Sequence, residues 1–371
     1  MRLLPDQDEL DLAAALRGLL AAECPTTVAR RLKDAEAPSM PPTLWKALAA
    51  AGVLGLAVSE QYGGSGGHLP DLGVFCIEAG RALCPMAVHS TVHAGLAIQA
   101  LGSPEQCAAW LPDLCDGTST ATTGLWSPND AGVVAPTLRA EGGADGGWRL
   151  NGTSEFVADA DEADHLVVSA ADAATGRTVV FVAPLRAPGV RIEALSVMGG
   201  YRAFRVHFTD AVLADQRAVL GEVDDDALHR LANAAVALLS LDLVGVGESV
   251  LASTVDYIKM RHQFGRPIAS FQAAQHLVAN MHIALASARL AARSAVFWLG
   301  RGHTATRATA IARMHAATAA KLITLDAHQL HGGMGFVVDT DLHLFSERAR
   351  ILATLGGGAD VAATWLEDNG S

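Results

Sequence analysis

Between residues 119 and 222 the hydrophobic pattern of this chain changes period, and after that stretch it changes back. Up to about residue 118, apolar residues recur three and four apart in 8–22, 43–52, 71–83 and 87–101. Breaks fall at "CPTT", "SMPP", "YGGSGGHLP" and "LGSPEQ". That spacing puts apolar side chains on one helix face, and the breakers end each run. From 119 to 222 the texture is alternating and β-branched, as in "HLVVSA", "TVVFVAP", "GVRIEAL" and "RVHFTDAVL". Short strands separated by "EGGADGG", "NGT", "AATGR" and "RAPG" point to an antiparallel β domain. Beyond "GEVDDD" helical spacing returns, over about 227–261, 269–299, 304–331 and 340–355.

This order predicts an α+β fold: an N-terminal helical domain over 1–118, a middle antiparallel β domain over 119–222 and a C-terminal four-helix bundle over 223–371. Local chemistry supports the joins. "SPEQ" places Ser103 as an N-cap with Gln106 three residues later, a capping box. Asp224–Asp226 stand where a helix start favours negative charge. Pro267 and Gly300 mark breaks between the long C-terminal helices.

Charge and composition remove several functions. The formal net charge of −12, with no basic stripe, argues against nucleic acid as a partner. The most apolar segment, 231–253, is interrupted by Asn233, Asp242 and Glu248, so it reads as a buried helix and not as a membrane span. The N-terminal run carries acids and Arg17, an amphipathic helix and no secretory signal. Five cysteines (Cys24, Cys76, Cys84, Cys107, Cys115) without CxxC spacing read as reduced thiols, hence a cytoplasmic protein. With half its residues apolar and 18% charged, the chain is expected to bury surface between subunits. His276, His282 and His331 lack metal-ligand spacing, so no metal is expected.

Two stretches carry chemistry: "YIKMRHQFGRPIASFQAAQH" at 257–276 and "AHQLHGGMGF" at 327–336. Arg261 at a helix end offers a fork of donors suited to a pyrophosphate. Phe264 offers an apolar face to a planar ring, Gln329 an amide, and Gly332 and Gly333 a backbone that another group can approach closely. Taken singly, Arg261 reads as a surface cation at a helix C-terminus and Gly332–Gly333 as a helix cap.

Together with the α–β–α order, these stretches resemble the acyl-CoA dehydrogenase family, over nearly the whole chain. The resemblance implies FAD and an acyl-CoA thioester held between the β domain and the bundle. In such enzymes a carboxylate removes the α-proton, the flavin accepts the β-hydride, and an electron-transfer acceptor reoxidises it. It also assigns cofactor binding to Arg261, Phe264, Gln272, Gln329, Gly332 and Gly333, which in the family reach the FAD of a neighbouring subunit.

Measured against the family pattern, the residues a subunit uses on its own flavin are altered. The usual catalytic Glu falls at Gly356 or Gly357, and Asp360 is the only carboxylate between Arg350 and Trp365. Some members place the base on the first bundle helix, and counting back 26 residues from Arg261 reaches Ala235, followed by Val236. Asp242 and Glu248 lie elsewhere on that helix and read as polar contacts in the bundle. Where the family has Thr-Glu-Pro-Gly the chain has "LWSPND", placing bulky Trp126 at the flavin wall. Where the family has Trp-Ile-Thr it has "FVAD": Phe156 can pack on a ring, but Ala158 offers no hydroxyl.

The favoured expectation is one subunit of a heteromeric, FAD-dependent acyl-CoA dehydrogenase. It would complete the FAD site of a partner subunit that bears the catalytic Glu. "LHGGMG" resembles the base-lacking subunit of heterotetramers that degrade steroid side chains, a branch of lipid metabolism. Two alternatives stay open: a homomeric flavoenzyme whose chemistry needs no base, such as oxygenation, and a non-catalytic scaffold.

Overall fold

The structure, a computed structural model, describes residues 5–33, 38, 40–143 and 146–367. Helices lead: α1 (Gln7–Glu23), α2 (Thr26–Arg31), α3 (Pro42–Ala50), α4 (Leu69–Ala82), α5 (Ala87–Leu101) and α6 (Pro104–Cys115). Strands follow: β1 (Ala121–Gly124), β2 (Leu138–Gly142), β3 (Trp148–Ala158), β4 (His165–Asp172), β5 (Thr178–Pro184), β6 (Val190–Ala194), β7 (Ala203–Leu213) and β8 (Val219–Glu222). The chain then enters α7 (Asp225–Met260), a two-strand hairpin β9 (His262–Gln263) and β10 (Arg266–Pro267), and α8 (Gln272–Leu299), α9 (Thr306–His331), α10 (Leu342–Leu352) and α11 (Ala359–Thr364). The α+β architecture is the expected one: helices, a sheet, helices.

The capping box before α6 is present in full. Ser103 Oγ accepts from the Gln106 amide at 3.3 Å, and Gln106 Oε1 accepts from the Ser103 amide at 2.8 Å. Asp224 accepts from the Ala227 amide at 2.8 Å, so the acidic run does start α7. The sheet runs in the order β6-β7-β3-β2-β4-β5-β8, with β1 on β4. Most neighbours are antiparallel, but β4 pairs parallel with both β1 and β2, so the sheet is mixed. Alternation along a strand reports which face is buried and says nothing of a neighbour's direction. A core of Leu138, Leu150, Leu166, Val168, Phe181, Phe204, Val206 and Phe208 fills one face of the sheet.

Contacts divide the chain into two compact units. The first comprises Met1–Arg31, Gly73–Cys84 and Val236–Ser371, and the second Leu32–Leu72 and Pro85–Ala235. Within the first unit, α4 and α7 cross backbone to backbone. A Cβ on Gly80 would lie 2.1 Å from the carbonyl oxygen of Asp242, and one on Gly245 would lie 1.9 Å from that of Ile77. Only glycine permits so close an approach.

α7 is long and apolar enough to cross a bilayer, but 89% of its most apolar window is buried inside the protein. Its two acids are paired. Asp242 receives Arg348 at 2.6 and 3.2 Å, and Glu248 is gripped by Arg81 and Arg289. A carboxylate so engaged is a structural ion-pair partner, as its sequence position suggested. All five cysteines are buried.

Candidate functional site

In the first unit, the C-terminal end of α7, the hairpin, the start of α8 and the end of α9 enclose an open groove of about 770 Å³. Arg261, Phe264, Gln329, Gly332 and Gly333 all line it, so two motifs 70 residues apart in sequence meet there. Gln272 is not among the lining residues: Phe271 and Ala273, on either side of it, are. Tyr257, Phe271 and Leu277 are liners that sequence reasoning passed over, although all three fall inside or just beyond the first motif.

The hairpin explains how the groove gets its rim. Phe264 and Gly265 occupy its two turn positions with φ of 53° and 80°. Two successive positive φ values make the tight turn that matches strand twist, and glycine suits the second of them. Phenylalanine at the first is strained, by roughly 1–2 kcal/mol for an L-residue in the left-handed region. The ring is also 92% exposed, with only an edge contact to Phe271 at 6.2 Å. Among the described residues, no close packing offsets that strain or that exposed apolar ring. Arg266 lies over the face of Phe271 at 4.1 Å and buttresses the turn from below.

The opposite rim is the end of α9. Gly332 caps that helix with φ 57°, and the cap accounts for one glycine. Gly333 has no such need, yet a Cβ on it would meet nothing within 4 Å, and the same holds for Gly332 and Gly265. Of these, Gly332 and Gly333 line the groove, and Gly333, which no positive φ requires, leaves its backbone open to an outside group. His331 stacks on Tyr257 at 4.3 Å and floors this rim, with its Nδ1 2.8 Å from the Ala327 carbonyl oxygen.

A guanidinium fork, an exposed planar ring, an amide side chain and unshielded backbone fit the phosphates and flat ring system of a dinucleotide such as FAD. Three residues expected at this chain's own flavin wall lie in the second unit. Phe156, at φ 55°, is stacked on Tyr201 at 6.0 Å, so its ring face already has a partner. Ala158 closes β3 without a hydroxyl, and Trp126 sits half-buried in the bend after β1.

The position of the expected base is a closed turn. Gly356 and Gly357 are buried, with φ of 70° and 104°. Arg313, fully buried on α9, donates through Nε to the Gly357 carbonyl at 2.8 Å and through Nη2 to that of Leu355. Its Nη1 has no hydrogen-bond partner among the described residues, and burial pushes its pKa down to about 10. Asp360 is exposed in the first turn of α11. Ala235 and Val236 are buried apolar residues of α7.

Comparison with known proteins identifies the family. Residues 227–369 match the acyl-CoA dehydrogenase C-terminal domain, and residues 6–118 match the N-terminal domain. Acyl-CoA dehydrogenase fadE12 of Mycobacterium bovis (strain ATCC BAA-935 / AF2122/97) is 30% identical over 322 residues, covering 83% of this chain and 82% of the relative. Among solved structures, the Tcur3481-Tcur3483 steroid ACAD superposes with a TM-score of 0.87 at 30% identity, covering 98% of this chain and 97% of the other. The ChsE4-ChsE5 complex from Mycobacterium tuberculosis gives 0.87 at 27% identity, covering 100% and 98%. On these matches, joined to the fold and the groove, the chain belongs to the acyl-CoA dehydrogenase family, whose members are FAD-dependent oxidoreductases.

Proposed function

We propose that this chain is the base-lacking subunit of a heteromeric acyl-CoA dehydrogenase that introduces an α,β double bond into an acyl-CoA thioester. In this reading its groove completes the FAD site of a partner subunit carrying the catalytic Glu. The observation that carries the proposal is Phe264. A strained, 92% exposed aromatic beside Arg261 and the open Gly332–Gly333 backbone is costly in isolation and useful only against something brought from outside. The likeness to chains of two complexes, the Tcur3481-Tcur3483 steroid ACAD and ChsE4-ChsE5, supports a heteromer and a steroid-derived acyl group.

FAD, when bound, supplies the acceptor for the hydride from the β-carbon. The chain's own work is binding and exclusion. Arg261 offers its fork to the pyrophosphate, and Phe264 lays an apolar ring against the cofactor and keeps water from it. Gln329 offers amide donor and acceptor, and the Gly332–Gly333 backbone lets phosphate or ring approach closely. No proton leaves the substrate to this chain's C-terminal turn, since Gly356–Gly358 offer no acceptor side chain. The α-proton goes to the partner's carboxylate.

The test is flavin content and native mass of the chain expressed alone, then with neighbouring acyl-CoA dehydrogenase-like genes. The expected result is a colourless chain alone and one flavin for every two chains in a mixed oligomer that desaturates acyl-CoA. A yellow homomer with one flavin per chain overturns the proposal and favours base-free flavin chemistry.

A further inference from the structure

A second cavity, of about 200 Å³, lies wholly within the second unit, where α3 and α5 meet the loop that follows β3. Trp45, Thr91 and Ala163 give it a mostly apolar lining. Its polar groups are almost all spent on backbone. Trp45 Nε1 donates to the Gly117 carbonyl at 2.8 Å, Thr91 Oγ1 to that of Ala121 at 3.2 Å, and Thr120 Oγ1 to that of Glu162 at 3.1 Å.

Two carboxyl residues also line the cavity: Glu162, which Arg202 approaches at 3.6 Å, and the more deeply buried Asp159. Its side chain lines the cavity in a residue only 6% exposed, and it accepts from Ser90 Oγ at 2.9 Å. Ser90 has one proton, which the Met86 carbonyl at 3.4 Å also draws on. An ionised carboxylate has about four acceptor sites, so a single shared hydroxyl leaves it poorly served. Burial raises its pKa to about 7, and Asp161 and Glu162 on the same loop push in the same direction. Arg202 opposes them, but it is already paired with Asp161 and lies 3.6 Å from Glu162. From α5 the carboxyl meets Ser90, and α3 brings Pro42 and Trp45 to the cavity, so neither helix lines it with a cation. The backbone of Asp159 holds φ 51°, a conformation Asp and Asn tolerate better than other side chains.

We propose that this cavity binds a small primary ammonium carried on an apolar body, of the class of benzylamine, with the Asp159 carboxylate as its counterion. The site is independent of the FAD groove and does not rest on the dehydrogenase reading. An ammonium supplies three donors and the charge the pocket lacks, while its apolar body displaces water from the Trp45 side.

The experiment is calorimetric titration of the full chain, or of its co-expressed complex, with benzylamine and with its neutral isostere benzyl alcohol. At about pH 8 Asp159 is largely ionised while an alkyl ammonium keeps its proton, and at about pH 6 the carboxyl is largely protonated. Benzylamine affinity should therefore fall about tenfold between those pH values. Asp159→Asn, which accepts the same φ, should lower it about tenfold or more at pH 8 and remove the pH dependence. Ala87→Leu, which fills the cavity from α5, should weaken amine and alcohol alike. Equal affinity of wild type and Asp159→Asn for benzylamine overturns the proposal. So does alcohol binding as tight as amine binding, or no heat of binding by wild type up to about 10 mM ligand.

Discussion

The glycines at 332–333 and those at 356–357 lie in the same compact unit and in opposite surroundings. At 332–333 an added Cβ would point into open space, beside an exposed aromatic and an unpaired rim. At 356–357 the backbone is buried and left-handed, and its carbonyl is held by an arginine with no exposed surface. Glycine in the first place keeps a surface available. In the second it allows a turn that no ordinary side chain would adopt without strain. The turn expected to carry the base is part of the internal structure, while the rim proposed to meet the cofactor is open.

The largest effect expected from breaking that contrast is on Arg313. Arg313→Met removes a buried guanidinium and orphans two carbonyls, and should cost about 3–5 kcal/mol in urea unfolding. Gly333→Ala, made at the open rim, should cost far less in the same assay. Equal costs would mean that the turn is not clamped. Next is Gly357→Glu, which puts a carboxylate at one of the two positions where the family's base is expected. With φ at 104° it should lose about 1–3 kcal/mol of stability and give the homomer no dehydrogenase activity towards acyl-CoA. Activity in that variant would show that a missing side chain was the only deficit.

Arg261→Ala should leave the unfolding midpoint of the isolated chain unchanged and lower FAD retention by the assembled complex about tenfold, roughly the value of one charge-assisted contact to phosphate. Undiminished flavin content would end the cross-subunit assignment. The smallest effect should come from Phe264→Gly. Relief of the turn strain should raise the stability of the isolated chain by at most about 1 kcal/mol, while the complex loses flavin more readily. A chain destabilised by this substitution would place the ring's purpose inside the fold.

Much of this was open to a reader of the sequence. Periodicity located the long helices to within a few residues, and the Ser103–Gln106 pair marked a helix start that the structure contains atom for atom. α2 and α11 were missed because six residues are too few to display a helical period. The 262–267 hairpin was missed for the same reason, its strands being two residues each. At the site, Arg261, Phe264, Gln329 and Gly332–Gly333 followed from their motifs, whereas Gln272 does not reach the groove. Nothing in "TAIARMHAATAAK" announced that Arg313 is fully buried. The only signal was the alanines around it, Ala310, Ala316, Ala317 and Ala320, all of which are buried too.

Local chemistry thus settled the helix–sheet–helix order, the caps, the absence of a carboxylate at 356–357 and the residue types of the groove, because each depends on neighbours a few positions away. Tertiary structure alone decided the rest. It brought residues 261 and 329 to one groove, left the Phe264 ring exposed on a strained turn, and paired Asp242 and Glu248 with arginines. It also buried Arg313 against a glycine turn and left Asp159 short of donors. Burial and partner choice are set by segments far apart in the chain, and for a charged group they determine both its cost and its use.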